Sequence, residues 1–153
     1  MYTENPSLYV ADDKINFICE IKKTDTPKVY VVNGNDIKKC ISTKKKSIVY
    51  IWGPKCKSKI CFPLELLQQK CNTKKIDLYI IAEYYDNELM NFNYNINNPI
   101  FGIDTKFYKS DLTSTYLTKF IYELTSTNVK ENRYLYFENG KFINSFNFID
   151  EIN

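Results

Sequence analysis

Apolar residues fall along the chain in short runs divided by polar turns, and the spacing inside each run predicts its element. Ile48-Val49-Tyr50-Ile51-Trp52 is continuously apolar and rich in β-branched and aromatic side chains. Such a run belongs to a strand covered on both faces, as in a central parallel position. Ile76–Ala82 reads as the next buried strand, closed by Glu83-Tyr84-Tyr85-Asp86, and Val29–Val32 as a shorter one ended by a turn at Asn33-Gly34. Between these strands the period changes. Asp36–Ile41 shows helical spacing with Asn35 as its cap. Leu64, Leu67 and Cys71 recur at helical intervals and predict a helix through Pro63–Lys70. Ser110-Asp111 cap a further helix, whose apolar face is Leu112, Tyr116, Phe120, Ile121 and Leu124.

The ends of the chain carry weaker and stronger signals. Leu8–Val10 and Ile15–Ile21 read as a hairpin about Asp12-Asp13. Residues 87–98, rich in Asn, fit either a short helix or an aromatic lid built from Leu89, Met90, Phe92 and Tyr94, and Pro99–Asp104 fits a loop or an edge strand. Tyr134–Phe137, Asn139-Gly140 and Phe142–Phe146 give the strongest local signal. Asn-Gly supplies the two positive φ values of a type I′ turn, so two antiparallel strands are joined tightly there. Phe148–Ile152 adds a last helical turn. Strands alternating with helices demand parallel pairing with right-handed crossovers, and the terminal hairpin adds antiparallel strands. The expected fold is therefore α/β, a mixed central sheet with helices on both faces. At 153 residues, with no repeat or linker, the chain fits one domain.

Composition narrows the chemistry more than it suggests any. Lys, Asn, Ile, Tyr and Phe supply about half the residues, against one Arg and no His. Coding bias in an AT-rich genome accounts for that vocabulary, so the lysines are not read as selected for binding. The absence of His removes Ser-His-Asp and Cys-His catalysis, His-ligated metals and imidazole acid–base chemistry together. Net charge is +3 with Lys and acidic residues interleaved, which argues against a nucleic-acid footprint. Lys44-Lys45-Lys46 reads as a solvated turn. No stretch approaches the ~20 apolar residues that span a bilayer, and the polar start is no signal peptide. The expected compartment is the cytoplasm, or the cell envelope if an export segment precedes this sequence. The four glycines are scattered, so no loop cradles a phosphate. No cofactor is expected.

Five cysteines remain: Cys19, Cys40, Cys56, Cys61 and Cys71. They contain no C-x-x-C pair, so a zinc site is not expected. Cys19 shares an apolar strand face with Ile15, Phe17 and Ile21, Cys40 a face with Ile37 and Ile41, and Cys71 the helical face with Leu64 and Leu67. Each of the three reads as a small buried hydrophobe rather than a reactive thiol. Cys56 and Cys61 follow Gly53-Pro54 and fit no such pattern.

The strand Ser47–Trp52, the following Gly53-Pro54-Lys55-Cys56, Pro63 in the helix and the terminal Phe137-Glu138-Asn139-Gly140-Lys141 hairpin resemble the thioredoxin-like superfamily, in particular the divergent small thioredoxin-like proteins of Bacteroidetes. The resemblance covers roughly residues 27–150, leaving 1–26 as an N-terminal extension and 27–153 as the thioredoxin-like domain. It implies a three-layer sandwich in which Trp52 takes the place of the family's tryptophan and Cys56 that of its nucleophile. A thiol at a helix N-terminus, among Lys55, Lys57 and Lys59, would be held toward thiolate.

The pattern departs from the family at three positions. Lys59 stands where the resolving cysteine belongs, and Cys61 comes two residues late. On a regular helix five residues advance about 7.5 Å, beyond the ~4.4–6.8 Å Cα separation a disulfide spans. A 56–61 bridge thus needs a segment that is not regular helix, and Pro63 permits one by marking a late helix start. Asn132 occupies the place of the family's cis-proline, and Tyr50 that of its buried acid. The resemblance implies thiol–disulfide exchange on protein or peptide disulfides, with Cys56 and Cys61 as the thiols and Trp52, Pro54 and Asn132 as substrate-binding positions. The other reading keeps the fold and assigns binding or structure, with a static bridge or idle thiols. Tyr84, Tyr85, Phe92 and Tyr94 suit peptide recognition but read first as cover for the sheet edge, Glu83 and Asp86 as solvated loop acids, and Tyr50, Trp52 and Arg133 as packing and surface residues.

Overall fold

In the computed structural model, which describes residues 5–11, 18–56, 62–129, 132–147 and 149–151, a seven-stranded sheet of order β1-β2-β5-β4-β3-β6-β7 forms the centre. The strands are β1 (Tyr9–Val10), β2 (Val29–Val32), β3 (Lys46–Trp52), β4 (Asp77–Ala82), β5 (Ile100–Ile103), β6 (Tyr134–Glu138) and β7 (Lys141–Phe146). β1 through β5 pair in parallel, β6 runs antiparallel to β3, and β7 antiparallel to β6. The sheet is thus mixed, as the alternation of elements requires.

β3 lies inside the sheet, bounded by β4 and β6. Its side chains alternate between two cores. Ile48, Tyr50 and Trp52 pack with Leu64, Leu67 and Cys71 of α2 (Leu64–Lys74), whereas Val49 and Ile51 pack against α1 (Gly34–Ile41) and α4 (Thr113–Thr125). Helices therefore cover both faces. The continuous apolar run is explained by this double burial: from Ile48 to Trp52 no residue is more than 7% exposed.

Local chemistry sets the helix ends differently from several expectations. Asn33, not Asn35, caps α1. Its side chain accepts from the Asp36 amide while the Asp36 carboxylate accepts from the Asn33 amide, so a reciprocal capping box converts the expected turn at Asn33-Gly34 into a helix start. α4 begins after Leu112 with no side-chain cap, two residues past Ser110. α2 begins after Pro63, the late start that proline permits. Asp86 caps the short helix α3 (Asn87–Met90) through the Leu89 amide, so the 87–98 segment opens as a helix and continues as aromatic cover.

β5 is not an edge strand. It lies between β2 and β4, and Gly102 lets the Tyr85 ring cross it closely: a Cβ there would stand 2.6 Å from that ring. The Tyr85 hydroxyl donates to the Ile103 carbonyl and its ring meets Tyr9 edge-on at 5.0 Å. At the other end, Asn139 and Gly140 take positive φ of 51° and 80°, forming the expected tight hairpin.

Of the expected N-terminal hairpin, the turn at Asp12-Asp13 and residues 15–17 of the second strand lie outside the described residues. Of its parts, Tyr9–Val10 pairs in parallel with β2, and Ile18–Glu20 is a 3-10 turn rather than a strand. Cys19 in that turn is exposed and bonded to Cys40 of α1, with Cα atoms 5.1 Å apart. Reading these two cysteines as small buried hydrophobes is corrected accordingly. Period-based reading places Cys40 on the buried face of α1, where it is, but carries no information about a partner 21 residues away. Cys71 is free and buried, as expected.

Candidate functional site

The site lies where β3 and β4 end and β6 begins. Parallel strands deliver their carboxyl ends to one side of the sheet, where open α/β sheets gather ligands. Trp52 and Ala82 are register partners at those ends, and the Glu83 amide donates to the Trp52 carbonyl at 2.7 Å. Beyond Trp52 the chain turns at Gly53-Pro54-Lys55, closed by a hydrogen bond from the Cys56 amide to the Gly53 carbonyl at 2.9 Å. The turn is docked laterally. The Lys55 amide donates to the Tyr84 hydroxyl at 2.7 Å, and Lys55 Nζ lies 3.5 Å from Asp86 Oδ2.

Cys56 is half-buried and disulfide-bonded. Cys61, with Lys57 and Lys59, lies outside the described residues. The Phe62 amide donates to the Tyr50 hydroxyl at 3.4 Å. Tyr50 thus anchors the far end of the cysteine segment to β3. Burial raises the Tyr50 pKa, against smaller opposing effects that include that hydrogen bond and the Arg133 charge. Its ring stacks on Tyr134 at 4.7 Å. At neutral pH this phenol is a neutral donor and acceptor, not a carboxylate.

Cys56 sits on the Gly53 turn and α2 opens at Leu64; residues 57–61 between them, on which the expected helix start at Cys56 depends, lie outside the described residues. Beside the turn stand Glu83, expected as a solvated loop acid, and Arg133, expected as a packing and surface residue. Arg133 Nη2 lies 3.1 Å from Glu83 Oε2, Arg133 Nη1 donates to the Ile51 carbonyl at 3.0 Å, and the Arg133 carbonyl accepts from the Ile51 amide at 2.9 Å. Both side chains are about four-fifths covered. A methyl group built on Gly53 would stand 3.1 Å from Glu83 Oε2 and 3.5 Å from both Arg133 Nη1 and Cys56 Cβ. Gly53 therefore brings the ion pair and the cysteine to one point.

The remaining site positions have distinct surroundings. Trp52 is 7% exposed, packed in the α2-side core, with its ring edge-on to Tyr94 at 5.5 Å. Pro54 is half-buried in the turn. Asn132 precedes β6, and its side-chain Nδ2 donates to the Ser145 hydroxyl of β7 at 2.7 Å. Ile51, Glu83, Asn132 and Arg133 line a shallow groove with Leu117 and Ile121 of α4. Glu83 and Arg133 are the site residues that pattern reading missed. One signal for Arg133 was present: it is the lone arginine in a chain that otherwise uses lysine for every positive charge.

Among the described residues no cluster of Cys, Asp and Glu could hold a metal ion, and no helix is long and apolar enough to cross a membrane. No protein-family model, curated protein or solved structure matches the chain.

Proposed function

We propose that the protein is a thioredoxin-like thiol–disulfide oxidoreductase acting on protein disulfides, with Cys56 as nucleophile and Cys61 as resolving thiol. The observation that carries this reading is that Cys56 is half-buried and disulfide-bonded on the turn that follows β3. Cys61 is its assigned partner because Cys19 and Cys40 bond each other and Cys71 is free.

In the reaction, the Cys56 thiolate attacks one sulfur of a substrate disulfide. A mixed disulfide forms, and the other substrate sulfur leaves and takes a proton. The Cys61 thiolate then attacks the Cys56 sulfur and expels the second substrate thiol. Two electrons pass from the dithiol to the substrate, and an external dithiol reductant restores the starting state. Trp52, Pro54 and Asn132 are the proposed substrate-contact positions, of which Pro54 is part of the cysteine turn and Asn132 lines the adjoining groove. The Cys19–Cys40 bond supports placing the protein in an oxidising compartment, because such bridges persist there and are reduced in the cytosol.

The second reading is a binding or structural module whose Cys56 bond is static. It is favoured by the Tyr50 phenol where the family carries an acid, and by Asn132 where the family carries proline. Insulin reduction separates the two. The oxidoreductase reading expects turnover by the parent protein and its loss in Cys56→Ser and Cys61→Ser with thermal stability largely kept. The static reading expects no turnover and a fall in melting temperature alone.

A further inference from the structure

We propose that the Glu83–Arg133 pair is a charge lever on Cys56: Arg133 favours the Cys56 thiolate, and Glu83 restrains that effect and holds the guanidinium in place. This deepens the oxidoreductase reading and rests on it for its functional meaning, though not for its measurement.

Three observations converge. First, the geometry of Gly53 places Glu83 Oε2, Arg133 Nη1 and the Cys56 β-carbon around one point. Second, the guanidinium is fixed from two sides, by the Ile51 carbonyl at 3.0 Å and by Glu83 at 3.1 Å. A fork held this way loses little freedom when it acts on a third group. Third, each partner is only about one-fifth exposed, so solvent screens their fields less than those of surface charges. Exposed ion pairs contribute little to stability. A covered pair that flanks the same point as the Cys56 β-carbon can act on the protonation of that residue's thiol.

Lys57 and Lys59 lie outside the described residues; among those described, the charged and titratable groups around the turn have partners of their own. Lys55 is 71% exposed at its side chain and pairs with Asp86. The Tyr84 hydroxyl accepts from the Lys55 amide, and the Tyr50 hydroxyl accepts from the Phe62 amide. From α4, the Tyr116 hydroxyl donates to the Glu83 carbonyl. Arg133 is the covered cation of this set. A nearby opposite charge shifts a titrating group by about one unit or more, and a like charge shifts it the other way by a similar amount.

The test is the pH dependence of iodoacetamide alkylation at Cys56 in protein whose Cys56 bond has been reduced, read by mass spectrometry of the Cys56 peptide. Arg133→Gln is expected to raise the alkylation midpoint and slow the reaction several-fold at pH 7. Glu83→Gln is expected to lower the midpoint and speed the reaction. Arg133→Lys, which keeps the charge, is expected to stay near the parent. A structural disturbance would move Arg133→Gln and Glu83→Gln in the same direction, and that result overturns the inference. So does a midpoint that neither variant moves, or a shift in Arg133→Lys as large as in Arg133→Gln. If Arg133→Gln does not fold, Glu83→Gln and Arg133→Lys decide by the same criteria. Insulin turnover of the parent is scored separately: its absence removes the enzymatic reading while the opposed shifts stand or fall on their own.

Discussion

Cys19 and Cys40 are covalently joined, so the exposed 3-10 turn ahead of β2 is fastened to the buried face of α1. The bond closes a loop of 21 residues that contains the whole of β2. Restricting an unfolded chain by a loop of this size stabilises the fold by about 3 kcal/mol in the chain-entropy account. The double substitution Cys19→Ser/Cys40→Ser is expected to lower stability by about that amount and the melting temperature by roughly 10 °C. Insulin reduction by the folded variant is expected to continue, because neither cysteine of this bridge is one of the two proposed to react. Paired thermal melts and turnover assays check both halves of that expectation.

α1 has a second fastening in its capping box. Replacing Asn33 by Ala removes the acceptor for the Asp36 amide and unseats the reciprocal bond. Such losses cost about 1 kcal/mol. Urea unfolding should show a lower midpoint at unchanged slope. Asn35→Ala, at the position the sequence pattern favoured, should have a much smaller effect.

Gly102 is required by Tyr85 rather than by its own backbone. A methyl group at this position meets the Tyr85 ring at 2.6 Å, and the ring cannot retreat without giving up its hydrogen bond to the Ile103 carbonyl and its packing on Tyr9. Gly102→Ala is expected to cost about 1–3 kcal/mol, as for an overpacked core. In Tyr85→Ala, where the ring is gone, adding Gly102→Ala should cost clearly less. A double-mutant cycle by chemical denaturation measures the difference.

Burial makes the fold sensitive to alkali. It raises the Cys71 thiol to about 12 and the Tyr79 phenol to about 12, above their ordinary values near 9 and 10. Folded pKa values above the unfolded ones stabilise the protein fully at pH below the unfolded values. That stability is lost as pH rises through the folded ones. The denaturation midpoint should therefore hold steady up to about pH 9 and fall between about pH 9 and 12. Cys71 should resist a thiol reagent at pH 8 in the folded protein and react on unfolding. Denaturant titrations across that range, with thiol counting, provide the check.

The parts of the fold legible in the sequence were those where one local rule acts alone. The Ile48–Trp52 run is buried on both faces, and Asn139-Gly140 dictates a tight turn through its backbone, so both could be read directly. Where two rules competed, the pattern misled. Asn33-Gly34 has turn chemistry, yet the carboxylate of Asp36 completes a capping box and a helix begins. The interior position of β5 was hidden because its four residues show neither a long apolar run nor alternation, and its insertion between β2 and β4 is a tertiary fact. Cys56 stood out by failing to fit any apolar face. Arg133 stood out only as the lone arginine and Glu83 not at all, because they lie 50 residues apart and are brought together only by the pairing of β4 and β6 on either side of β3.

The central claim is that Cys56 attacks substrate disulfides, and trapping the covalent intermediate tests it most directly. Cys61→Ser removes the resolving thiol, so a mixed disulfide with the substrate should persist. After mild reduction of the Cys56 sulfur and mixing with oxidised insulin, the account predicts a covalent adduct whose peptide map places the link on Cys56, absent from Cys56→Ser. No adduct under these conditions, or one that maps to Cys19, Cys40 or Cys71 while Cys56 remains a free thiol, would contradict it.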